Sequence, residues 1–384
     1  MDGTLVAPDW PSLTLAEVRA LLSRFPVLGK PTRILTVSPR PFSAAGVVAT
    51  TNGRIFIKRH HQSVRDREGL LEEHRFLAYL FDHGALIPRI FADAAGETAV
   101  ELSDSTYEVH EIPAGIDLYE DAISWTPFRT AAHAHSAGGA LAQLHLAARD
   151  FTAPPRQPRP LVASFTIFAA RDPVEAMARY LAERSSLSCH KGVRVCAARA
   201  LDLLAPFYAE LAPLLPALLP LWTHNDLHAS NLFWNDRIPD ARATAIFDFG
   251  LADRTNAVHD LAHAIERNIV EWLTLVQDAK QPTAVHLDHL EALLDGYESI
   301  RPLSSAEATA LAPMTALCHA EFALSEADYF LGVLHCEEKA VMAYDGWLVG
   351  HARWFHSAAG RKLLDALRRR AKSPSRSADT AGVR

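Results

Sequence analysis

The chain has only four cysteines in 384 residues, and no two of them form a Cys-x-x-Cys pair. That excludes a disulfide framework and suits a reducing, cytoplasmic setting. Its nineteen histidines show no zinc-site spacing either, since Cys189-His190, Cys318-His319 and His335-Cys336 stand as isolated neighbours. Long apolar runs are missing as well. The most apolar stretch, Leu201 to Trp222, is interrupted by Pro206, Pro213, Pro216 and Pro220 and carries Asp202 and Glu210, so no membrane span is expected. No signal peptide is read at the N-terminus. Basic residues are in deficit, 38 against 45 acidic for a net charge of −7. This argues against a nucleic-acid partner and favours a cationic ligand. Neither a Walker A sequence nor a Gly-x-Gly-x-x-Gly loop occurs.

What is present concentrates between Trp222 and Gly250. One run is Thr223-His224-Asn225-Asp226-Leu227-His228-Ala229-Ser230-Asn231-Leu232-Phe233 and the other is Ala245-Ile246-Phe247-Asp248-Phe249-Gly250-Leu251. Apolar residues flank the polar ones, which predicts loops pinned at both ends by a core. Transfer of a phosphoryl group needs an oriented hydroxyl and metal ions to neutralise phosphate charge. Asp226 suits acceptance of the hydroxyl proton, while Asn231 and Asp248 offer the hard oxygens magnesium prefers. Asp-Phe-Gly alone carries little weight, because Asp-x-Gly turns are common. Together and in this order the two runs are far more specific.

The pattern His-x-Asp-x-x-x-x-Asn followed by Asp-Phe-Gly resembles the catalytic and metal loops of the protein-kinase-like superfamily. The wording His-Asn-Asp-Leu-His-x-x-Asn looks more like its small-molecule branch, the aminoglycoside, choline and homoserine phosphotransferases; Asn225 stands where protein kinases carry Arg. The resemblance spans roughly residues 31 to 360. It implies an α+β, two-lobed kinase-like fold, ATP and Mg2+ as cofactors, Asp226 as catalytic base, and Asn231 with Asp248 as metal ligands. With the helical period near the N-terminus and the lack of apolar period after 370, the expected organisation is a helical extension over 1–30, a nucleotide-binding lobe over 31–112, a helical lobe over 113–370 and a disordered tail over 371–384. The length and the 49% apolar content leave room for two such lobes.

Upstream, apolar spacing predicts a helix over 13–25 capped by Ser12 or Thr14. Strands follow from Ile34 and over 46–51, with Thr51-Asn52-Gly53-Arg54 as a hairpin signal and Ile55 to Lys58 returning. A helix is expected from about Arg67 to Asp82. By the family pattern Lys58 pairs with Glu73, or with Glu72 as the fallback, to hold the α- and β-phosphates. Ser43 and the amides up to Gly46 are candidates for a nucleotide flap. The strand ending in Pro113 and Gly115 is a candidate hinge, with adenine contacts over Val109, His110, Glu111 and Ile112.

Downstream, helices are predicted over 130–149, 173–184, 193–204, 207–212 and 259–274, with a Pro-rich linker at 153–160. Only Leu251 to Val258 separates Gly250 from the last of these. That leaves no room for an activation loop, so a small-molecule hydroxyl is expected as acceptor rather than a protein. A nucleotide-binding pseudokinase and a protein kinase are the rival readings. Asp260 is expected to cap its helix and buttress the catalytic loop, His224 to orient that loop, and His228 either to approach substrate or to face solvent. Glu321, Ser325 and Asp328 fall on one helical face. With Tyr329, Tyr344 and Trp354 they form a candidate site for a cationic amine; the alternative is a solvated acidic face.

Overall fold

The computed structural model describes residues 8–38, 41–162, 164–273 and 284–372. Ala371 and Lys372, the first two residues of the expected tail, are helical, and the rest of that tail lies outside the described residues. The small lobe is one antiparallel sheet in the order β1-β2-β3-β5-β4. Its strands are β1 Pro31–Val37, β2 Ala44–Thr50, β3 Gly53–His61, β4 Val100–Leu102 and β5 Ser105–Glu111. Thr50 pairs with Gly53, so the two-residue loop is Thr51-Asn52. An Asn-Gly signal would centre it one residue later. Two features move it: Gly53 takes φ 143 as the first residue of β3, and Asn52 is tied by its side-chain amide to the Val27 carbonyl at 3.0 Å.

Helix α1, Leu15–Leu22, starts with a capping box in which Thr14 and Glu17 satisfy each other's backbone N–H. Its apolar face, Val18, Leu21 and Leu22, packs with Val48, Ile55, Ile57 and Val109 of the sheet. Each such burial stabilises by roughly 1.5–3 kcal/mol. Helix α2 spans Arg67–Asp82, as its periodicity predicts, behind an Asp66 cap. Its Phe76 ring lies 5.3 Å from Trp222 and 6.1 Å from Phe249. A helix of the small lobe is thus anchored on Trp222, just before the first motif, and on Phe249 within the second.

The large lobe is helical: α3 Ala131–Ala147, α4 Pro173–Ala182, α5 Lys191–Leu211, α6 Ala257–Ile269, α7 Leu287–Glu298, α8 Ser305–Leu317, α9 His319–Gly332 and α10 Ala358–Lys372, with shorter helical segments between and a continuous helical stretch over 337–354 that is π-helical from Met342 to Val349. Helix α5 joins two segments expected to be separate. Pro206 costs it one hydrogen bond, but Val193, Ala197, Ala200, Leu204, Phe207 and Leu211 form one continuous buried stripe that holds it together. Helices α3 and α7 touch through glycine. A Cβ on Gly138 would sit 2.0 Å from the Leu293 carbonyl oxygen, and one on Gly296 would sit 1.9 Å from that of His135. Among the described residues no helix is long and apolar enough to cross a membrane.

Candidate active site

Two short antiparallel ribbons frame the motif loops. β6 Pro220–Thr223 pairs with β9 Asp253–Asn256, and β7 Leu232–Trp234 pairs with β8 Ala243–Ile246. Residues 224–231 therefore leave β6 and enter β7, while 247–252 leave β8 and enter β9. Strand β9 was not legible in the sequence, and it makes the second motif loop short and fixed. Asn225 and Asp248 take φ 60 and φ 62, the left-handed region that short polar side chains tolerate best.

Asp260 sets the first loop. It lies in the first turn of α6, whose N-cap is Asn256 and not Asp260 as expected, because Asn256 accepts from the His259 N–H. This frees the buried Asp260 carboxylate to accept from the His224 N–H at 2.8 Å and the Asn225 N–H at 2.7 Å, with His145 Nε2 at 3.0 Å. Burial alone would raise its pKa, but the His145 hydrogen bond and charge hold it at about 2. His224 then links the two loops. Its Nδ1 accepts the Asp226 N–H at 3.1 Å, which leaves Nε2 as the donor to the Phe247 carbonyl at 3.0 Å. Burial lowers the pKa of His224, in keeping with that neutral tautomer. Asn231 donates from Nδ2 to the Asp226 carbonyl at 3.0 Å. Its amide oxygen is thereby the end left for another partner.

Lys58 reaches across from β3 to Asp248 Oδ1 at 2.7 Å, and not to Glu73. Burial would lower the pKa of Lys58, but the charges of Asp248, Glu108 and Glu73 raise it to about 12. Asp248 is held well below the usual carboxylate range by Lys58, against the effect of burial. Glu73 is buried, and its near cation is Arg156 at 3.7 Å; Glu72 pairs with Arg159 at 3.0 Å. Arg156 also donates to the carbonyls of Gly69 at 2.9 Å and Gly250 at 3.0 Å, which couples α2 to the Asp-Phe-Gly loop. It sits in the Pro-rich stretch that sequence reasoning treated as a linker.

The remaining nucleotide candidates are more dispersed. Ser43 is buried at the entrance to β2. The Val109 carbonyl accepts from Phe91 N at 2.8 Å and the Glu111 N–H goes to the Arg89 carbonyl at 2.8 Å. Those two backbone groups are therefore engaged by protein and not turned to an adenine edge; Ile112 lies just beyond β5. His110 Nε2 contacts the buried Glu108 carboxylate at 2.8 Å, which His60 and His74 each approach at 3.0 Å.

The face expected to bind acceptor is directed elsewhere. Glu321 accepts the N–H groups of Thr166 and Ile167, the latter at 2.6 Å; Ser325 donates to the Phe322 carbonyl at 2.7 Å; Asp328 bonds Ser186 and faces Arg184 at 3.9 Å. All three are buried, so the solvated alternative is also excluded. The neighbouring face of α9 is the one that approaches the loop of residues 224–231, through Arg267. Asp226 Oδ1 is ion-paired with Arg267, which is 1% exposed and lies over the Phe322 ring at 4.5 Å and the Trp125 ring at 5.4 Å. His228 Nε2 is 3.9 Å from Asp226, and its Nδ1 contacts Ser230 at 2.9 Å; it is buried rather than solvent-facing. Trp125 also stands edge-on to His319 at 5.6 Å and to Trp347 at 5.5 Å. Behind it, Glu266 Oε1 lies 3.0 Å from His351 Nδ1 and 3.4 Å from His319 Nδ1. Arg267 was missed, although a signal existed: it follows Asp260 by seven residues, two turns along the same helical face.

The sequence matches the profile described as "Phosphotransferase enzyme family" over residues 43–303. The chain belongs to this family. This phosphotransferase is 29% identical over 268 residues, 68% of its length and 70% of the relative's, to a homoserine kinase of Methylobacterium radiotolerans. Its fold is similar to that of a microcompartment-associated aminopropanol kinase, with TM-score 0.59, 18% identity, and 90% and 99% of the two chains covered. An aminoglycoside phosphotransferase from Alicyclobacillus acidocaldarius aligns with TM-score 0.51 and 18% identity over 94% and 97% of the chains. A third is an amicoumacin kinase solved with AMP-PNP and Ca2+, with TM-score 0.52 and 14% identity over 88% and 95%. Small-molecule phosphoryl transfer is thus the chemistry of the family to which this enzyme belongs.

Proposed function

We propose that this phosphotransferase moves the γ-phosphoryl group of ATP to the hydroxyl of an amino alcohol or a larger hydroxylated amine, with Asp226 as the base. One observation carries the reading. The neutral His224 bridge holds the backbone of Asp226 to that of Phe247, so the base loop and the Asp248 loop keep a fixed relation. The donor set of Asp248 carboxylate and Asn231 amide oxygen fits a hard cation, and Lys58, now paired with Asp248, lies beside it as a cation for phosphate oxygens. Magnesium bound there would neutralise triphosphate charge. Asp226 takes the acceptor's proton as its oxygen bonds to the γ-phosphorus. The bond from that phosphorus to the β–γ bridging oxygen breaks, and ADP leaves with the electron pair.

The amine preference is supported by a group of buried side chains behind Trp125. Glu266 is fully buried; its Oε1 is approached by His351 at 3.0 Å and His319 at 3.4 Å, its Oε2 lacks a hydrogen-bond partner, and the Trp125 and Trp347 rings stand close to those histidines. A buried carboxylate beside aromatic rings suits an ammonium ion. The test is transfer of label from γ-labelled ATP to a panel of amino alcohols, sugars and aminoglycosides, with Asp226→Asn as control. Label on an amine acceptor, abolished in the variant, is the expected result. Label appearing only on protein, or equally in the variant, would end this reading.

A further inference from the structure

We propose that Arg267 is the recognition group for a carboxylate on the acceptor, and that such an acceptor draws the guanidinium away from Asp226 and so frees the base. The proposal rests on the kinase reading of Asp226 and adds an acceptor charge that the amine preference does not supply. Three observations carry it. First, Arg267 is 1% exposed and its only ion-pair partner among the described residues is Asp226, reached through Nη1. Second, Nε and Nη2 are buried without a hydrogen-bond partner. A guanidinium has five N–H donors in a planar fork, and buried donors are nearly always satisfied. Third, the Phe322 and Trp125 rings, at 4.5 and 5.4 Å, hold the group in place without using those donors.

The unpaired edge matches a carboxylate, which a guanidinium binds through two parallel N–H···O bonds. The contact with Asp226 has a chemical consequence. A carboxylate paired with a cation holds its ionised form more firmly and accepts a proton less readily. While Arg267 stays on Asp226, the base is muted. An acceptor carboxylate that takes over the fork restores the basicity of Asp226 as the hydroxyl arrives. With Glu266 beside Arg267 on α6, both charge signs are at hand, and the favoured acceptor is a hydroxylated molecule carrying an ammonium and a carboxylate.

Matched acceptors that differ only in the carboxylate test this: serine with ethanolamine, homoserine with 3-aminopropan-1-ol, and threonine with 1-aminopropan-2-ol. In the parent enzyme the acid member of the productive pair should exceed its partner in kcat/KM by at least about tenfold, the value of one charged hydrogen bond. Arg267→Leu should bring that ratio towards one, and Arg267→Lys, which keeps charge without the fork, should lower it part of the way. Should the leucine variant not fold, the lysine variant and a turnover-independent measurement remain, namely the melting-temperature shift given by each pair member. The acid should stabilise the parent and the decarboxylated partner should not. Equal use or equal binding of both members by the parent, or an unchanged ratio in Arg267→Lys, overturns the proposal. Preferential binding of the acid without phosphorylation of any member sinks the kinase reading of Asp226 and leaves the Arg267 assignment standing.

Discussion

Lys58 Nζ lies 2.7 Å from Asp248 Oδ1, so a cation of the small lobe and an anion of the large lobe meet directly across the cleft. The raised Lys58 keeps its share of this stability below its ordinary pKa of 10.5 and loses it only as pH rises through about 12. The depressed Asp248 keeps its share above the ordinary carboxylate range and loses it as pH falls towards its lower folded value. Between about pH 5 and 9 the bridge is intact, so a pH dependence of nucleotide binding in that range has another source.

Asp248→Ala should abolish the rise in melting temperature that ATP with magnesium gives the parent, because no carboxylate then compensates the triphosphate. Lys58→Met should weaken ATP binding with or without metal. A full magnesium-dependent shift in the Asp248 variant would remove that residue from the metal site.

Asp226→Asn should lower turnover by a factor of about 100 or more, the effect of losing a positioned base, while ATP binding changes little. The substitution also strands Arg267 without its anion, so some loss of stability is expected alongside. Single-turnover rates at saturating ATP separate the two effects. A rate within a fewfold of the parent would mean that the proton goes elsewhere.

Asp260→Asn tests the scaffold. Asparagine offers one acceptor oxygen to the two N–H groups that the carboxylate now receives. Losing one charged, buried hydrogen bond should cost about 2–3 kcal/mol of stability. Turnover should fall more than the apparent affinity for ATP, because residues 224–226 lose their anchor. Parent-like stability in urea would show that the loop holds without it.

The fold was legible where local pattern and burial agree. Helix α2 has one apolar stripe and a cap, and its limits follow from those alone. The β2–β3 turn slipped by one residue because Asn52 is tethered to Val27, a contact set by tertiary structure. In the site, the motif residues were visible because their spacing is fixed by short loops. Their partners were not. Arg156 comes from a stretch that reads as linker, and the Lys58 contact depends on where β3 meets the loop after β8. The α9 face was misassigned because periodicity shows which residues share a face, not which neighbour that face meets. Glu321 meets the backbone of residues 166 and 167, while Phe322 meets Arg267.

The last expectation concerns stability against pH, where two sets of buried groups act in opposite windows. Burial lowers His263 and His319 to about 4, below the ordinary 6.5. Between those values the unfolded chain binds protons that the folded chain refuses, so stability falls as pH drops from about 6.5 towards 4. Glu326 behaves in the opposite sense. It is buried with Oε2 unpartnered, and burial pushes it up to about 8 despite the charge of Arg267. From the ordinary carboxyl value up to about 8 the folded chain keeps a proton that the unfolded chain has released, so stability falls as pH rises. Stability should peak near pH 6 to 7. Glu326→Gln, which mimics the protonated acid, should match the parent near pH 5 and exceed it at pH 8.5. The gain should be a few kcal/mol at most, since each tenfold change in proton affinity is worth about 1.4 kcal/mol. Urea titrations at pH 5, 6.5 and 8.5 measure this directly. A variant that tracks the parent at all three values would show that Glu326 is ionised in the folded protein.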